Sequence, residues 1–289
     1  MRILLVNPSY SSSDGLRGQG GGLIPLNLCY LAAYVRTVVP DIDISILDAE
    51  ALGLSVKETV RRTSELAPNL VGITSTTGAF DAIIALASQL IASVPRLDIV
   101  LGGPHPSALP ERSLRETGAR FVVLGEGEKT FADLVARLKD GGDDFSGIDG
   151  LAYAGSDGDI HVNAPRGLIE DLDTLPFPAR DLVDMALYSP PPTKRVALGP
   201  NTLISTTRGC PHNCGFCGAN TVWTRRLRER SPQSVISEIK ECIQEWGITS
   251  LNFSDEFFTA KKKRVIEICE RMLSENIAVP WVCSARAER

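Results

Sequence analysis

The chain has 289 residues and a formal net charge of −5, with 43% hydrophobic and 22% charged residues. This balance is typical of a globular protein, and it excludes the basic field that general nucleic-acid binding needs. The first apolar run, residues 3–6, is too short for a signal peptide, and no run is long enough to span a bilayer. We therefore expect a cytoplasmic protein with reduced cysteines and without a nucleic-acid or membrane partner.

Five short runs rich in Ile, Leu and Val recur in the first part of the chain, as strands buried on both faces do. They cover residues 3–6, 42–47, 70–73, 99–101 and 121–124. Helical patterns follow four of these runs, and Ser55 with Glu58 forms a capping box that opens one of them. This order predicts an α/β fold with an open, doubly wound parallel sheet.

Glycines and hydroxyl side chains follow four of the runs, at the edge where such sheets bind ligands. Glycine lets the backbone approach a ligand closely, and hydroxyls bond with little bulk. One such loop is ordinary turn chemistry, but four at one edge predict a large, flat ligand with a polar rim. None of the loops has P-loop or GxGxxG spacing, so a nucleotide is not the first expectation.

The next stretch differs in character. Gly155 and Gly158 separate two short apolar segments, which predicts a small β-hairpin. Prolines follow at 176, 178 and 190–192, and they indicate an extended linker. We therefore expect a Rossmann-like domain over residues 1–142, a hairpin and linker over 143–195, and a second domain over 196–289.

The second domain reads as strand, helix, strand, helix, strand, with strands near residues 202–206, 248–253 and 279–284. Ser231 caps the first helix, and Pro232 takes its first position. Parallel strands in this order open a β/α barrel. The count reaches about three β/α units by residue 289, so the pattern predicts the first half of a barrel, truncated there.

Three of the seven cysteines, Cys210, Cys214 and Cys217, stand in TTRGCPHNCGFC directly after the first strand of that domain. Thiolates this close in a reducing compartment indicate a soft metal. Zinc is one interpretation, with His212 as a fourth ligand. A [4Fe–4S] cluster is the preferred one, because three ligands leave one iron open to a small molecule. The other four cysteines fall in apolar patterns and are interpreted as core: Cys29, Cys242, Cys269 and Cys283.

The CxxxCxxC spacing with an aromatic residue before the last cysteine resembles the radical S-adenosylmethionine (SAM) superfamily. In that family the open iron binds SAM, and an electron from the cluster cleaves it to a 5′-deoxyadenosyl radical. The resemblance implies four contacts to SAM: Phe216, Asp255, Glu256 and Arg286. A turn cap for one of the two acids, and a surface position for the arginine, stay open as alternatives. A basic run, residues 225–230, is interpreted as mostly solvated, with Arg228 or Arg230 folded over the cluster.

The segments GGPHPSALPE, VVLGEGEKTF, LPFPARDL and RLRERSP are similar to the cobalamin-binding radical SAM proteins, and this resemblance covers nearly the whole chain. It implies an N-terminal domain that binds cobalamin (B12) at the edge described above. The residues it places around the corrin are Asn7, Ser75, Thr76, Thr77, Gly102, Gly103, Gly125 and Glu126. No histidine of the chain lies in a D-x-H-x-x-G motif, so no histidine ligand to cobalt is expected.

What the resemblance implies about activity is methylation of an unactivated carbon or a phosphinate phosphorus. The cofactors would be a [4Fe–4S] cluster, SAM and cobalamin. The substrate would be a small molecule or a peptide, and an external electron donor such as flavodoxin or ferredoxin would reduce the cluster. Three alternatives stay open: a cyclase or rearrangement enzyme without methyl transfer, a cobalamin carrier or sensor with an incomplete barrel, and a zinc-binding module.

Overall fold

The structure is a computed structural model that describes residues 1–9, 22–189, 196–197 and 199–287. Most of the predicted ligand loop after the first strand, and the prolines at 190–192, lie outside the described residues. Contacts divide the chain into two compact units. The first holds the described residues of 1–20, 25–168 and 178–183, and the second holds those of 21–24, 169–177 and 184–289.

The first unit is built on one sheet of seven strands in the order β2-β1-β3-β4-β5-β6-β7. The strands are β1 (Arg2–Asn7), β2 (Asp43–Asp48), β3 (Leu70–Thr74), β4 (Asp98–Gly102), β5 (Phe121–Val123), β6 (Leu151–Ala154) and β7 (Ile160–Val162). The first five pair in parallel, as predicted. The predicted hairpin is β6 and β7, and it continues the sheet because β6 pairs antiparallel with β5.

Among the described residues of this unit, six α-helices connect or follow these strands. They are α1 (Leu26–Val38), α2 (Val56–Leu66), α3 (Phe80–Ser93), α4 (Pro104–Ala108), α5 (Pro110–Thr117) and α6 (Gly127–Lys139). The predicted cap of α2 forms, since the Ser55 hydroxyl accepts from the N–H of Glu58 at 3.2 Å. The helical patterns of the sequence do not predict α4 and α5. Each of these two helices begins with proline, which the first turn tolerates because its N–H groups need no helical partner.

Alternation along β1 shows how the sheet is covered on both faces. Ile3 and Leu5 pack with residues of α1 and α6, whereas Leu4 and Val6 pack with residues of α2, α3 and α5. Burial of one such side chain stabilises the fold by about 1.5–3 kcal/mol. Because both faces are buried, residues 3–6 of this strand must all be apolar, which is why they form an unbroken hydrophobic run. This arrangement confirms the doubly wound fold.

The second unit contains a three-stranded parallel sheet in the order β12-β11-β8, and a short antiparallel pair, β9 and β10. Its elements are β8 (Asn201–Ile204), β9 (Thr207–Arg208), β10 (Arg228–Glu229), α7 (Pro232–Trp246), β11 (Ser250–Phe253), α8 (Lys262–Ser274) and β12 (Trp281–Cys283). The β-α-β-α-β order confirms the prediction of a partial β/α barrel. None of the helices in the described ranges is both long and apolar enough to cross a membrane.

Replacement of Gly103 by alanine is expected to destabilise the first unit by about 1–3 kcal/mol. The φ of Gly103 is 99°, and an added Cβ would lie 2.7 Å from the carbonyl oxygen of Ser75. Gly102→Ala is the matched control, because a Cβ there meets no atom within 4 Å, and its effect should stay within about 0.5 kcal/mol. Urea unfolding followed by circular dichroism measures both variants. Equal free energies of unfolding would contradict the close approach at Gly103.

Candidate functional site

The carboxyl edge of the first sheet brings the loops after β3 and β4 into direct contact. The N–H of Ser75 donates to the carbonyl of Gly102 at 2.8 Å, and the N–H of His105 donates to the carbonyl of Ser75 at 3.3 Å. Gly103 lies against the Ser75 backbone, where a side chain would not fit. Three predicted cobalamin contacts, Ser75, Gly102 and Gly103, are therefore held together as one structural element.

In the loops after β3 and β4, two buried polar atoms have no hydrogen-bond partner among the described residues. They are the hydroxyl of Ser75, a residue with 0% exposure, and Nε2 of His105, a residue with 5% exposure. The His105 ring packs on Phe80 at 3.8 Å between centroids, and its Nδ1 lies 3.2 Å from the Thr77 hydroxyl. Burial, and then the nearby Arg112 cation, lower the pKa of His105 and favour its neutral form.

The remaining predicted contacts lie along the same edge with different surroundings. The Asn7 side chain donates to an Asp48 carboxylate oxygen at 2.9 Å, and the N–H of Gly125 donates to the Ser107 hydroxyl at 3.0 Å. Thr76 and Thr77 are exposed, and Glu126 is buried. An unsatisfied buried polar group costs about 1–3 kcal/mol, so a ligand that bonds to the Ser75 hydroxyl and to Nε2 of His105 would be stabilising.

The cysteine loop of the second unit, residues 209–218, contains neither helix nor strand. Cys210 and Cys214 are half-buried, and Cys217 is exposed, with its N–H donating to the Cys214 carbonyl at 3.0 Å. Within the described residues, no three His, Cys, Asp or Glu side chains are grouped as metal ligands. The loop therefore brings the three thiols into one segment but does not converge them. His212, the alternative zinc ligand, packs edge-on against Phe257 at 5.2 Å.

Three thiols on one accessible loop are the donor chemistry that an iron–sulfur cluster requires. The lack of a preformed geometry is compatible with such a site, because metal binding often orders its own ligands. Arg286 supports this assignment, since its Nη1 donates to the Cys214 sulfur at 3.5 Å. The predicted aromatic contact Phe216 is 93% exposed, with its ring open to a ligand.

The base of the cysteine loop is closely packed. Gly209 has a φ of 91°, and an added Cβ would overlap the carbonyl oxygen of Arg226 and lie 3.2 Å from that of Trp223. The Arg208 guanidinium stacks over the Trp223 ring at 4.9 Å, and Arg225 bonds to the side chain of Asn213. The segment that follows the loop thus passes so close to Gly209 that only glycine fits at this position.

The structure separates the two predicted acidic contacts. The carboxylate of Asp255 is buried and accepts three hydrogen bonds, from the Thr206 N–H at 2.6 Å, the Thr206 hydroxyl at 2.5 Å and the Thr207 N–H at 2.9 Å. Burial raises its pKa, and these bonds and Arg264 oppose that shift. Glu256 is half-buried, and burial likewise raises its pKa. Asp255 is therefore engaged with the backbone that leads to Cys210.

The basic run divides into two pairs. Arg225 and Arg226 are exposed, as the solvated interpretation predicted. Arg228 and Arg230 are buried, and the Nη1 of Arg228 donates to the Ile169 carbonyl at 2.7 Å.

The sequence reasoning missed Arg264, because it ends a run of lysines that is typical of a solvated face. Arg264 is 9% exposed, and its guanidinium donates to the Thr206 carbonyl at 3.0 Å, the Thr206 hydroxyl at 3.2 Å and the Arg230 carbonyl at 3.0 Å. A signal was present, since Arg264, Ile268 and Met272 recur every four residues and form the buried face of α8.

Two family models match the two parts of the chain. The B12 binding domain family matches residues 19–135, and the radical SAM superfamily matches residues 204–286. The chain combines a B12 binding domain with a radical SAM domain. This confirms the resemblance on which the sequence expectations were based.

Two curated relatives match this B12 binding and radical SAM chain along its whole length. An uncharacterized methyltransferase of Pyrococcus horikoshii is 36% identical over 99% of the chain and 60% of the relative. The anaerobic magnesium-protoporphyrin IX monomethyl ester cyclase of Synechocystis sp. is 33% identical over 100% of the chain and 56% of the relative. The chain therefore spans less than two thirds of the length of these relatives.

A solved structure has the same fold. The radical SAM methyltransferase TsrM from Kitasatospora setae, with cobalamin and a [4Fe–4S] cluster bound, matches with a TM-score of 0.71. The two proteins are 20% identical, and the match covers 96% of this chain and 51% of TsrM. At this identity the similarity establishes the fold, and the chemistry has to be argued from the residues of this chain.

Gly209→Ala is expected to destabilise the radical SAM domain by about 1–3 kcal/mol, because the loop base must open to admit the methyl group. Gly218→Ala is its control, since a Cβ at Gly218 meets no atom within 4 Å. Urea unfolding followed by tryptophan fluorescence suits the test, because the three tryptophans are Trp223, Trp246 and Trp281, all in the second unit. Identical midpoints for the two variants would show that the packing at Gly209 is not tight.

Proposed function

We propose that the chain binds a [4Fe–4S] cluster, SAM and cobalamin and methylates an unactivated carbon or a phosphinate phosphorus. The observation that carries this proposal is the loop with Cys210, Cys214 and Cys217, which leaves β8 at the carboxyl edge of a parallel β/α sheet. Enzymes built on such sheets keep their reacting groups at this edge. A three-cysteine set there leaves room for a substrate-like ligand, whereas a structural metal site takes four protein ligands.

In the radical SAM domain, the three thiolates would hold the cluster, and Arg286 would donate a hydrogen bond to its sulfur shell and offset its negative charge. The exposed ring of Phe216 offers an apolar face for the adenine of SAM. Glu256 is the acid that we assign to the amino group of SAM, because the carboxylate of Asp255 is occupied by Thr206 and Thr207.

In the B12 binding domain, Ser75 and His105 present polar atoms that lack a partner among the described residues. Gly102 provides open space beside them, since nothing lies within 4 Å of an added Cβ. We assign the cobalamin to this part of the edge, with the other predicted contacts around it: Asn7, Thr76, Thr77, Gly103, Gly125 and Glu126. When bound, the cluster supplies one electron to SAM, and cobalamin supplies a methyl group.

The residues of the chain would bind and orient the cofactors and exclude water, and the cofactors would perform the reaction. A small molecule or peptide is the proposed substrate, and a flavodoxin or ferredoxin in a reducing cytoplasm is the proposed electron donor. A second function, cyclisation without methyl transfer, is favoured by one observation. The magnesium-protoporphyrin ester cyclase is 33% identical to this chain over the full length of the chain. This identity is close to the 36% of the methyltransferase.

Anaerobic reconstitution with iron, sulfide and cobalamin tests the two cofactor sites separately. The triple variant Cys210→Ala, Cys214→Ala, Cys217→Ala is expected to lose the iron–sulfur absorption and to keep the corrin bands. Gly102→Val should do the reverse, because its side chain fills the space assigned to cobalamin without disturbing the cysteine loop. Iron analysis and visible spectra after gel filtration measure both.

Each variant can exclude one of the two proposed cofactor sites. Retention of iron by the triple cysteine variant would exclude the loop as the cluster site. Retention of cobalamin by Gly102→Val, with unchanged affinity, would exclude the β3–β4 edge. Gly102→Ala serves as the control with a smaller side chain at the same position, and its corrin affinity should fall less than that of Gly102→Val.

Methylation and cyclisation differ in their use of SAM. Methylation consumes two SAM molecules, one cleaved to 5′-deoxyadenosine and methionine and one converted to S-adenosylhomocysteine as it gives up its methyl group. We expect both products in equal amounts during turnover, and a trideuteromethyl group in the product when SAM is labelled there. Cyclisation would give 5′-deoxyadenosine without matching S-adenosylhomocysteine and without label. Mass spectrometry of the quenched reaction distinguishes the two outcomes.

A further inference from the structure

A buried charged network lies at the carboxyl end of β8, just before the cysteine loop. Its centre is Thr206, which is 0% exposed and stands four residues before Cys210. Asp255, from the end of β11, holds its N–H and its hydroxyl, and Arg264, from α8, holds its carbonyl and the same hydroxyl. Two elements distant in sequence therefore fix one backbone position.

Arg264 also bonds to Arg230, at the other end of the segment that contains the three cysteines. Its Nε and Nη2 donate to the Arg230 carbonyl at 3.2 and 3.0 Å, while Nη2 donates to the Thr206 carbonyl at 3.0 Å. The N–H of Arg230 donates to the same Thr206 carbonyl at 2.9 Å. One guanidinium thus joins the two ends of residues 206–230, and the cysteine loop lies between them. We call this pair of joined ends the neck.

A second arginine reinforces this neck. The Arg230 side chain donates to the Ser205 carbonyl at 3.0 Å and pairs with the buried carboxylate of Glu238. It also donates to the Ser234 hydroxyl at 2.9 Å. The backbone immediately before the loop is therefore held by charged side chains from three directions.

Burial of such a network costs desolvation free energy, which offsets much of the attraction between the charges. The network therefore contributes little to the stability of the fold. Burial raises the pKa of Asp255 and lowers that of Arg264, and the attraction between the two charges opposes both shifts. A well-attested use of buried polar groups is to specify one arrangement over its neighbours. Here the arrangement specified is the path of the chain into Cys210.

We propose that Arg264 and Asp255 are positioning residues for the cysteine loop, acting through Thr206 and the neck of residues 206–230. This inference rests on the proposed cluster site. It assigns Asp255 a role through Thr206, with no direct contact to SAM, and it gives Arg264 a role that the loop motif does not contain. The fork of an arginine is required, since a lysine offers one point charge and cannot span both carbonyls in the same way.

The Asp255 variants separate positioning from direct contact. An asparagine keeps an oxygen for the two N–H groups and a donor for the Thr206 hydroxyl, so Asp255→Asn should retain iron and the change in the electron paramagnetic resonance spectrum that SAM produces. Asp255→Ala should lose iron to a chelator roughly 10-fold more readily. If Asp255→Asn keeps the cluster but loses the response to SAM, Asp255 binds SAM directly and the proposal is wrong.

The Arg264 variants test the neck itself. Arg264→Lys and Arg264→Met are both expected to release iron to a chelator roughly 10-fold faster than the wild type. Ile268→Ala is the control on the same buried face of α8, because it removes core packing and leaves the hydrogen-bonding groups around Thr206 in place. Its unfolding midpoint should fall at least as far as theirs, with its iron retained. Equal iron loss in Ile268→Ala would reduce the effect to general instability and overturn the proposal.

Hydrogen exchange in the protein without iron keeps this test independent of the proposed function. Arg264→Met should speed exchange of the amides of residues 206–208 and 228–230 at least 10-fold, whereas Ile268→Ala should not single them out. If the wild type takes up no cluster but this pattern appears, the proposed function fails and the neck stands. Unchanged exchange in Arg264→Met would refute the neck, whatever the wild type binds.

Discussion

The hold of Asp255 and Arg264 on Thr206 is the constraint on which the candidate cluster site depends. The cysteine loop has no helix or strand of its own, so its position follows from the place where the chain leaves β8 and the place where it returns. Both places are fixed by side chains from β11 and α8, which are formed by sequence far beyond the loop. The motif supplies the ligands, and the rest of the barrel segment supplies their location.

The B12 binding domain follows the opposite arrangement. At the β3–β4 edge the backbone is fixed by a close approach that only glycine permits at Gly103. Two side chains there, Ser75 and His105, have polar atoms without a partner in the part of the chain that the structure describes. In the radical SAM domain the N–H, the hydroxyl and the carbonyl of Thr206 all have partners, in Asp255, Arg264 and Arg230. A saturated network holds a loop in place, whereas an unsatisfied one favours the arrival of a ligand.

Local patterns predicted most of the architecture, and they failed where partners are distant in sequence. The strands, the helix caps at Ser55 and Ser231 and the cysteine spacing are visible because each depends on neighbouring residues. The burial of Arg264 was not visible, since a lysine run precedes it and its acceptors lie 58 and 34 residues away. The same reason hid the partners of Asp255 and the joining of the hairpin to the sheet. The prolines that begin α4 and α5 concealed two short helices.

The pairing of the β6–β7 hairpin with β5 has a consequence for how the protein behaves in solution. A short, fully apolar strand such as β5 would expose unpaired backbone groups at the margin of the sheet, and such margins template association between chains. The hairpin occupies that margin and ends in β7, a strand of three residues that all keep contact with solvent. The sheet therefore ends on this side in a strand of only three residues, and very short edge strands are one means by which proteins limit edge-to-edge association.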